Sequence, residues 1–370
     1  MPYYLYKDSR MKRVRTSELV PGMITAEDVY SYNNQMIVPN NTELTDKIIT
    51  RLEFYSVLAV RIQDEPVSHA DDISPFDLPS FSERIKASKE FKEFEKSFIA
   101  TTEEFKQNLR SIVDERAPIN TEELCSHISN LMATQSSSIS IFDMLHNMRQ
   151  YDDLTYAHSI NVGLICNVFA RWLKLPPSEV EKLTLCGLLH DIGKLVVPDN
   201  IIRKPDKLTP NEYNIVKTHT LQGYNILKNY DYINDDIKES ALMHHERCDG
   251  TGYPLGLTGD KINKYAKIVA IADVYDAMTA ARVYRGPLCP FKVIGIFETE
   301  GLNKYDSKFI LVFLEHIAST YIKNRVRLNN GMEGEVVFMN KNALSRPMIQ
   351  CRNKFIDLSK EPDVYIETFV

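Results

Sequence analysis

The spacing of apolar positions changes three times along the chain. In residues 11–63 they come in short runs, Met23-Ile24, Met36 to Val38 and Val57 to Ile62, broken by Pro21-Gly22 and Asn33-Asn34. Short runs bounded by turn residues predict strands, with Asn33-Asn34 at a hairpin. Between them, Ile48, Ile49, Leu52 and Phe54 cluster as one helix would place them, over Asp46 to Tyr55. Residues 1–63 therefore read as a small, mostly-β (or α/β) N-terminal domain. Residues 64–80 carry three prolines and five acidic residues with little periodicity, and read as a linker.

From residue 81 the period becomes helical. Phe91, Phe98, Phe105 and Ile112 recur every seven residues, with Phe94, Leu109 and Val113 on the same side. This predicts one amphipathic helix over 81–116, about 45 Å long at about 1.5 Å per residue. It either packs on its own chain or forms a homodimer seam. Large phenylalanines make poor coiled-coil knobs, which favours packing on its own chain. Linker and helix together occupy 64–118. From 119 to 321 the pattern is helical almost throughout. Helix starts are marked by Asn120 with Glu123, by Ser178 with Glu181 after Pro176-Pro177, and by Thr209-Pro210-Asn211-Glu212, which has the form of a capping box. After Tyr321 short alternating runs return around Asn330-Gly331, so 322–370 reads as a C-terminal β segment. The fold class is mainly α, a helical bundle between two small β-containing segments.

Composition narrows the function more by exclusion. A net charge of −6 gives no general surface for DNA, so an anionic substrate must be held locally. The six cysteines show no CxxC or framework spacing, which fits free thiols in a reducing compartment. The first residues lack the apolar core of a signal peptide, and no run approaches the roughly 18 apolar residues of a membrane span. The expectation is a cytoplasmic protein with no membrane contact.

The chemistry concentrates in the helical part. Leu185, Leu188 and Leu189 form an apolar helix end that delivers His190 and Asp191 side by side, and Gly193 could close that helix in the left-handed conformation. A buried carboxylate beside an imidazole is costly unless a cation sits between them, and an aspartate can bridge two metals with its two oxygens. His158, His219, His244, His245 and Asp273 lie at helix ends or within helices of the same region. Five imidazoles and two carboxylates from five helices suit a dinuclear metal site. His127, His146 and His316 have no such partners and read as structural, and His69 as a solvated linker residue.

Taken in order, His158, His190-Asp191-x-x-Lys194, His219, His244-His245, Asp249-Gly250-x-Gly252-Tyr253-Pro254 and Asp273 resemble the HD-GYP family of metal-dependent phosphohydrolases. The string HHERCDGTGYP, His244 to Pro254, matches the loop for which the family is named, and the likeness covers about residues 140–320. Residues 11–63 and the β tail are similar to segments that accompany this domain in bacterial proteins. The resemblance implies an HD-superfamily helical bundle that cleaves the bacterial second messenger cyclic di-GMP to pGpG and onward to GMP. It assigns His158, His190, Asp191 and Asp273 to one metal, with Asp191 bridging to a second metal held by His219, His244 and His245. Asp191 would then be catalytic, as would Lys194, which would also contact the substrate's phosphate together with Tyr253, Arg282 and Arg285. Asp249 and Asp276 would orient ligands. The cofactors implied are two divalent transition metals, Fe or Mn foremost, with Zn, Co or Ni also compatible. Members with a third metal carry a glutamate where this chain has Leu154, and Asp153 is about 100° away around a helix, so two metals are expected. The alternatives are a hydrolase for another nucleotide or cyclic dinucleotide, or a non-enzymatic ligand-sensing module. The last predicts eroded ligands, and none of the seven is missing.

Overall fold

The computed structural model describes residues 11–30, 36–55, 57, 59–63, 81–133, 141–148, 154–202, 204, 208–279, 288–352 and 354–370. The N-terminal module is built on β1 (Met11–Arg15), β2 (Val29–Tyr30), β3 (Met36–Val38), α1 (Asp46–Phe54) and β4 (Ala59–Gln63). β1 pairs antiparallel with β4, Val14 opposite Val60, and β2 pairs with β3. Ile49 and Leu52 of α1 close a small core over Val14, Ile37 and Val60. The hairpin residues Asn33-Asn34 and the linker 64–80 lie outside the described residues.

The predicted single helix over 81–116 is two, α2 (Phe81–Ala87) and α3 (Lys89–Glu115). Ser88 between them is extended, and its hydroxyl accepts from the Phe91 amide at 3.1 Å, an N-cap that restarts the helix. Phe91, Phe94, Phe98 and Phe105 are buried in the chain's own large core. The stripe that a dimer seam would need is therefore already covered, and a homodimer through this helix would have to use another face.

The helical region continues through α4 (Thr121–Ala133), α5 (Ile141–Asn147), α6 (Leu154–Trp172), α7 (Pro177–Leu189), α8 (Asp199–Ile202), α9 (Pro210–Lys217), α10 (His219–Lys228), α11 (Asp235–Met243), α12 (Lys264–Thr279), α13 (Pro290–Ile296) and α14 (Ser307–Thr320). Asn120 caps α4 through the Glu123 amide, and Thr209 and Glu212 form the full capping box of α9. Ser178 caps nothing. α7 begins one residue earlier at Pro177, whose missing N–H suits the first helical position. The helix that starts at Pro210 ends at Lys217. The chain breaks at Thr218, and His219 opens α10.

The tail forms one antiparallel sheet of β5 (Arg325–Leu328), β6 (Glu333–Phe338), β7 (Met348–Cys351), β8 (Lys354–Asp357) and β9 (Ile366–Phe369), ordered β8-β7-β6-β5-β9. Asn330-Gly331 makes the turn between β5 and β6, as its sequence predicts. The sheet shares the helical core: the Phe369 ring lies 5.0 Å from Tyr321 and 6.1 Å from Phe291. Among the described residues no helix is long and apolar enough to cross a membrane.

Candidate metal centre

Five helices converge on one spot. α6 supplies His158, and α12 supplies Asp273. α7 ends at Leu189, so His190 and Asp191 follow its last turn. α10 opens with His219, and α11 ends just before His244 and His245. The ligand atoms fall into two groups, Asp191-His219-His244-His245 and His158-His190-Asp273, each within 4.8 Å. All seven residues named from the sequence are brought together.

Asp191 joins the groups. Its Oδ1 lies 3.3 Å from His219 Nε2 and 3.6 Å from His244 Nε2. Its Oδ2 lies 3.2 Å from His190 Nε2 and 3.7 Å from His158 Nε2. Each carboxylate oxygen thus faces a different set of imidazoles.

The imidazoles are oriented from behind. His190 Nδ1 donates to the Gly187 carbonyl at 2.7 Å, His219 Nδ1 to Val216 at 2.6 Å, and His244 Nδ1 to Ala241 at 3.0 Å. A proton on Nδ1 leaves Nε2 as a lone pair aimed inward, the tautomer a metal takes. Burial keeps His219 neutral, pushing its pKa down to about 3, and lowers His244 and His245 likewise. His158 differs, with Nδ1 2.7 Å from Asp276 and Nε2 3.0 Å from Asp273. Burial opposes its charge, but these two carboxylates outweigh burial and lift its pKa to about 10. Burial would also raise Asp191, yet His190 and Lys194 beside it hold that carboxyl well below its ordinary value.

His190 Nε2 and Asp191 Oδ1 are buried and have no hydrogen-bond partner among the described residues. Orphaned buried polar atoms are costly, and here they point into a cluster of imidazole nitrogens and carboxylate oxygens. This donor set fits divalent metal ions. His190, Asp191, His219 and His244 are buried, whereas His158, His245, Lys194 and Tyr253 are half-buried and form the rim.

Lys194 Nζ lies 2.5 Å from Asp191 Oδ2, so its resident partner is that carboxylate. Gly193 does not close α7 in a left-handed conformation. It lies in the 3-10 turn Ile192–Val196, packed on the main chain of α10. Tyr253 stacks on His245 at 4.6 Å with an interplanar angle of 27°. Asp276 lies behind His158, its carboxylate 2.7 Å from Nδ1, whereas Asp249 Oδ1 accepts from the Thr251 amide and hydroxyl in a local turn within the loop. Arg282, Arg285 and Asp153 lie outside the described residues, and of Leu154 only the backbone is described, as the first residue of α6. His316 donates to the Val312 carbonyl and stacks on Trp172, and His127 pairs with Glu104, both away from the centre.

Glu246 was not singled out from the sequence. It is buried, and its carboxylate accepts from the Leu255 amide at 2.7 Å and the Leu257 amide at 2.9 Å. Gly252 packs back on it so closely that a Cβ would meet the Glu246 Cα at 2.4 Å. These contacts fold the loop so that Tyr253 lies over His245. An acidic residue directly after His244-His245 was the available signal.

The HD domain family model matches residues 122–309. A protein named cyclic di-GMP phosphodiesterase from Pseudomonas aeruginosa is 34% identical over 229 residues, covering 61% of this chain and 55% of that protein. A cyclic di-GMP phosphodiesterase response regulator of Xanthomonas campestris is 43% identical over 197 residues, covering 45% of this chain and 52% of its own. A 3'3'-cGAMP-specific phosphodiesterase of Vibrio cholerae is 38% identical over 168 residues, covering 45% and 39%. The chain spans about half, or less, of the length of these relatives. With half its residues matched by the family model and the HHERCDGTGYP loop folded beside the histidine cluster, the chain belongs to the HD domain family, in its HD-GYP form.

Proposed function

We propose that the chain is a metal-dependent phosphodiesterase that hydrolyses cyclic di-GMP to pGpG, with GMP as the further product, in the bacterial cytoplasm. The observation that carries this reading is Asp191, whose two oxygens face two separate imidazole sets. The names of the relatives support the substrate class. His158, His190, Asp191 and Asp273 would hold one divalent metal, and Asp191, His219, His244 and His245 a second. Fe or Mn is favoured, and Zn, Co or Ni would also accept these donors.

Bound cations of this kind supply Lewis acidity toward a phosphodiester and lower the pKa of water. The remaining work falls to the chain. The imidazoles of His219, His244 and His245, kept neutral by burial, present lone pairs without reorganising. Asp276 fixes the ring of His158. Lys194, on the rim, brings positive charge toward a phosphoryl oxygen, and Tyr253 offers a ring face beside His245. The assignment of Arg282 and Arg285 to the substrate's phosphates rests on the family resemblance.

A second reading, 3'3'-cGAMP as the preferred substrate, is favoured by three relatives that carry that name. Metal-loaded protein incubated with each dinucleotide, with products separated by chromatography, decides between them. Asp191→Asn keeps the side chain's volume and should lower turnover below about one-thousandth of wild type, a barrier increase of about 4 kcal/mol. Near-normal turnover in that variant would refute the assignment of Asp191, and no cleavage of either dinucleotide by the loaded wild type would refute the activity.

A further inference from the structure

The loop that carries Tyr253 is held at its base by residues far along the chain. The Cys248 amide donates to the Lys304 carbonyl at 2.8 Å. The Tyr305 ring lies 5.0 Å from the Arg247 guanidinium, and Arg247 Nη1 donates to the carbonyls of His244 at 3.3 Å and Glu246 at 3.1 Å. Residues 304 and 305 thus reach the 244–248 segment by two routes. The Cys248 carbonyl in turn accepts from Gly259, and Asp249 bridges to Thr258, which closes the loop above that base.

The same segment is gripped on its other side by the N-terminal module. Tyr55, just past α1, packs against both the module's core and the helical core. Lys304 Nζ sits over the Tyr55 ring, 3.7 Å from its centroid. One turn earlier, Arg51 Nε lies 3.2 Å from Glu300 Oε1. Burial pushes the Lys304 ammonium down to about 8, so the ring face replaces part of the water it has lost.

We propose that Tyr55 and Lys304 are positioning residues through which the N-terminal module sets the 246–257 loop, and with it Tyr253, beside the metal centre. Its consequence for catalysis rests on the function proposed above, but the contacts themselves do not. Hydrogen exchange on the full chain, without metal or nucleotide, tests it, so its failure is distinguishable from a failure of the substrate reading. Lys304→Met keeps the stem and removes the cation. Tyr55→Leu removes the ring. In both, amides of residues 248–259 should exchange about two- to thirtyfold faster, while those of β5 to β9 keep their wild-type rates. Lys304→Arg, which restores a cation over the ring, should return the loop to near wild-type exchange. Lys304→Met leaves the module's own core intact, so it carries the test if Tyr55→Leu unfolds the module. Wild-type loop exchange in Lys304→Met, equal acceleration in the C-terminal sheet, or no recovery in Lys304→Arg would each overturn the proposal.

Discussion

Gly193 lies so close to His219 that a Cβ built on it would stand 1.9 Å from the His219 carbonyl oxygen and 2.4 Å from the Gly223 nitrogen. The turn after the His190-Asp191 pair is thereby pressed against the first turn of α10, main chain on main chain. This contact sets the distance between Asp191 and His219. It falls on the first turn after the break at Thr218, where His219 opens α10.

Gly193→Ala should therefore do more harm than an ordinary glycine replacement. The obstacle is backbone and cannot rotate away, so the loss should reach about 3 kcal/mol or more, the upper end for overpacking. Urea unfolding measures the stability, and elemental analysis measures the metal bound per chain. Both should fall together. Wild-type metal content in a destabilised protein would separate the contact from the site.

Asp276→Asn tests orientation from behind a ligand. The carboxylate 2.7 Å from His158 Nδ1 keeps that proton in place and makes Nε2 more basic. Metal affinity at the His158 group should weaken about 10- to 100-fold, with the far-ultraviolet circular dichroism unchanged. Titration of metal-free protein with Mn is the measurement, and an unchanged affinity would leave Asp276 a purely structural role.

Glu246→Gln removes a buried charge that two backbone amides address. Hydrogen bonds to charged groups contribute about 1.5–3 kcal/mol, and part of that should be lost from the loop. The expected sign is faster proteolytic nicking within 247–257 than in wild type, at a nearly unchanged melting temperature for the helical core.

Acid should unfold the metal-free protein earlier than its carboxylates alone would require. His219 is held near 3, and His244 and His245 are also lowered, all by burial, against an ordinary 6.5. Below about 6.5 the unfolded chain binds protons that the folded chain refuses, so stability falls with pH, by about 1.4 kcal/mol per unit for each such histidine. His158, raised to about 10, works the other way: its contribution is complete below 6.5 and is lost as pH rises toward 10. Melting temperatures should therefore rise from pH 4 to about 6.5, where the lowered histidines dominate, and fall from there toward pH 8, where only His158 still acts. Metal affinity should rise from pH 4 to 8, because a metal must displace the proton of His158.

The clustering of these residues was legible in the sequence because metal chemistry restricts residue type, and five histidines with two aspartates in one helical region have no comparable apolar explanation. The helix breaks were not. Ile215, Val216 and Leu221 carry the apolar spacing straight through Thr218, and the close packing of Gly193 on α10 beside the break exists only in the folded chain. Ser88 was passed over in the same way, since Ile85 and Phe91 keep the helical period on either side. Ser178 with Glu181 has the spacing of a cap, but α7 starts at Pro177, whose missing donor suits the first helical position. Glu246 escaped notice because its partners, nine and eleven residues away, fall at no regular period.

Three of the inward-facing imidazoles are held by carbonyls in the final turns of α7, α9 and α11, each three residues back. Those carbonyls belong to the turns most prone to fray. Fraying of a helix end and loss of the correct tautomer are consequently one event: when α11 unwinds by a turn, His244 loses both its place and the proton placement that makes it a ligand. Two ions held as proposed would between them tie down all three helix ends, so scarcity of metal should be felt first as loosened helices and only then as slower chemistry.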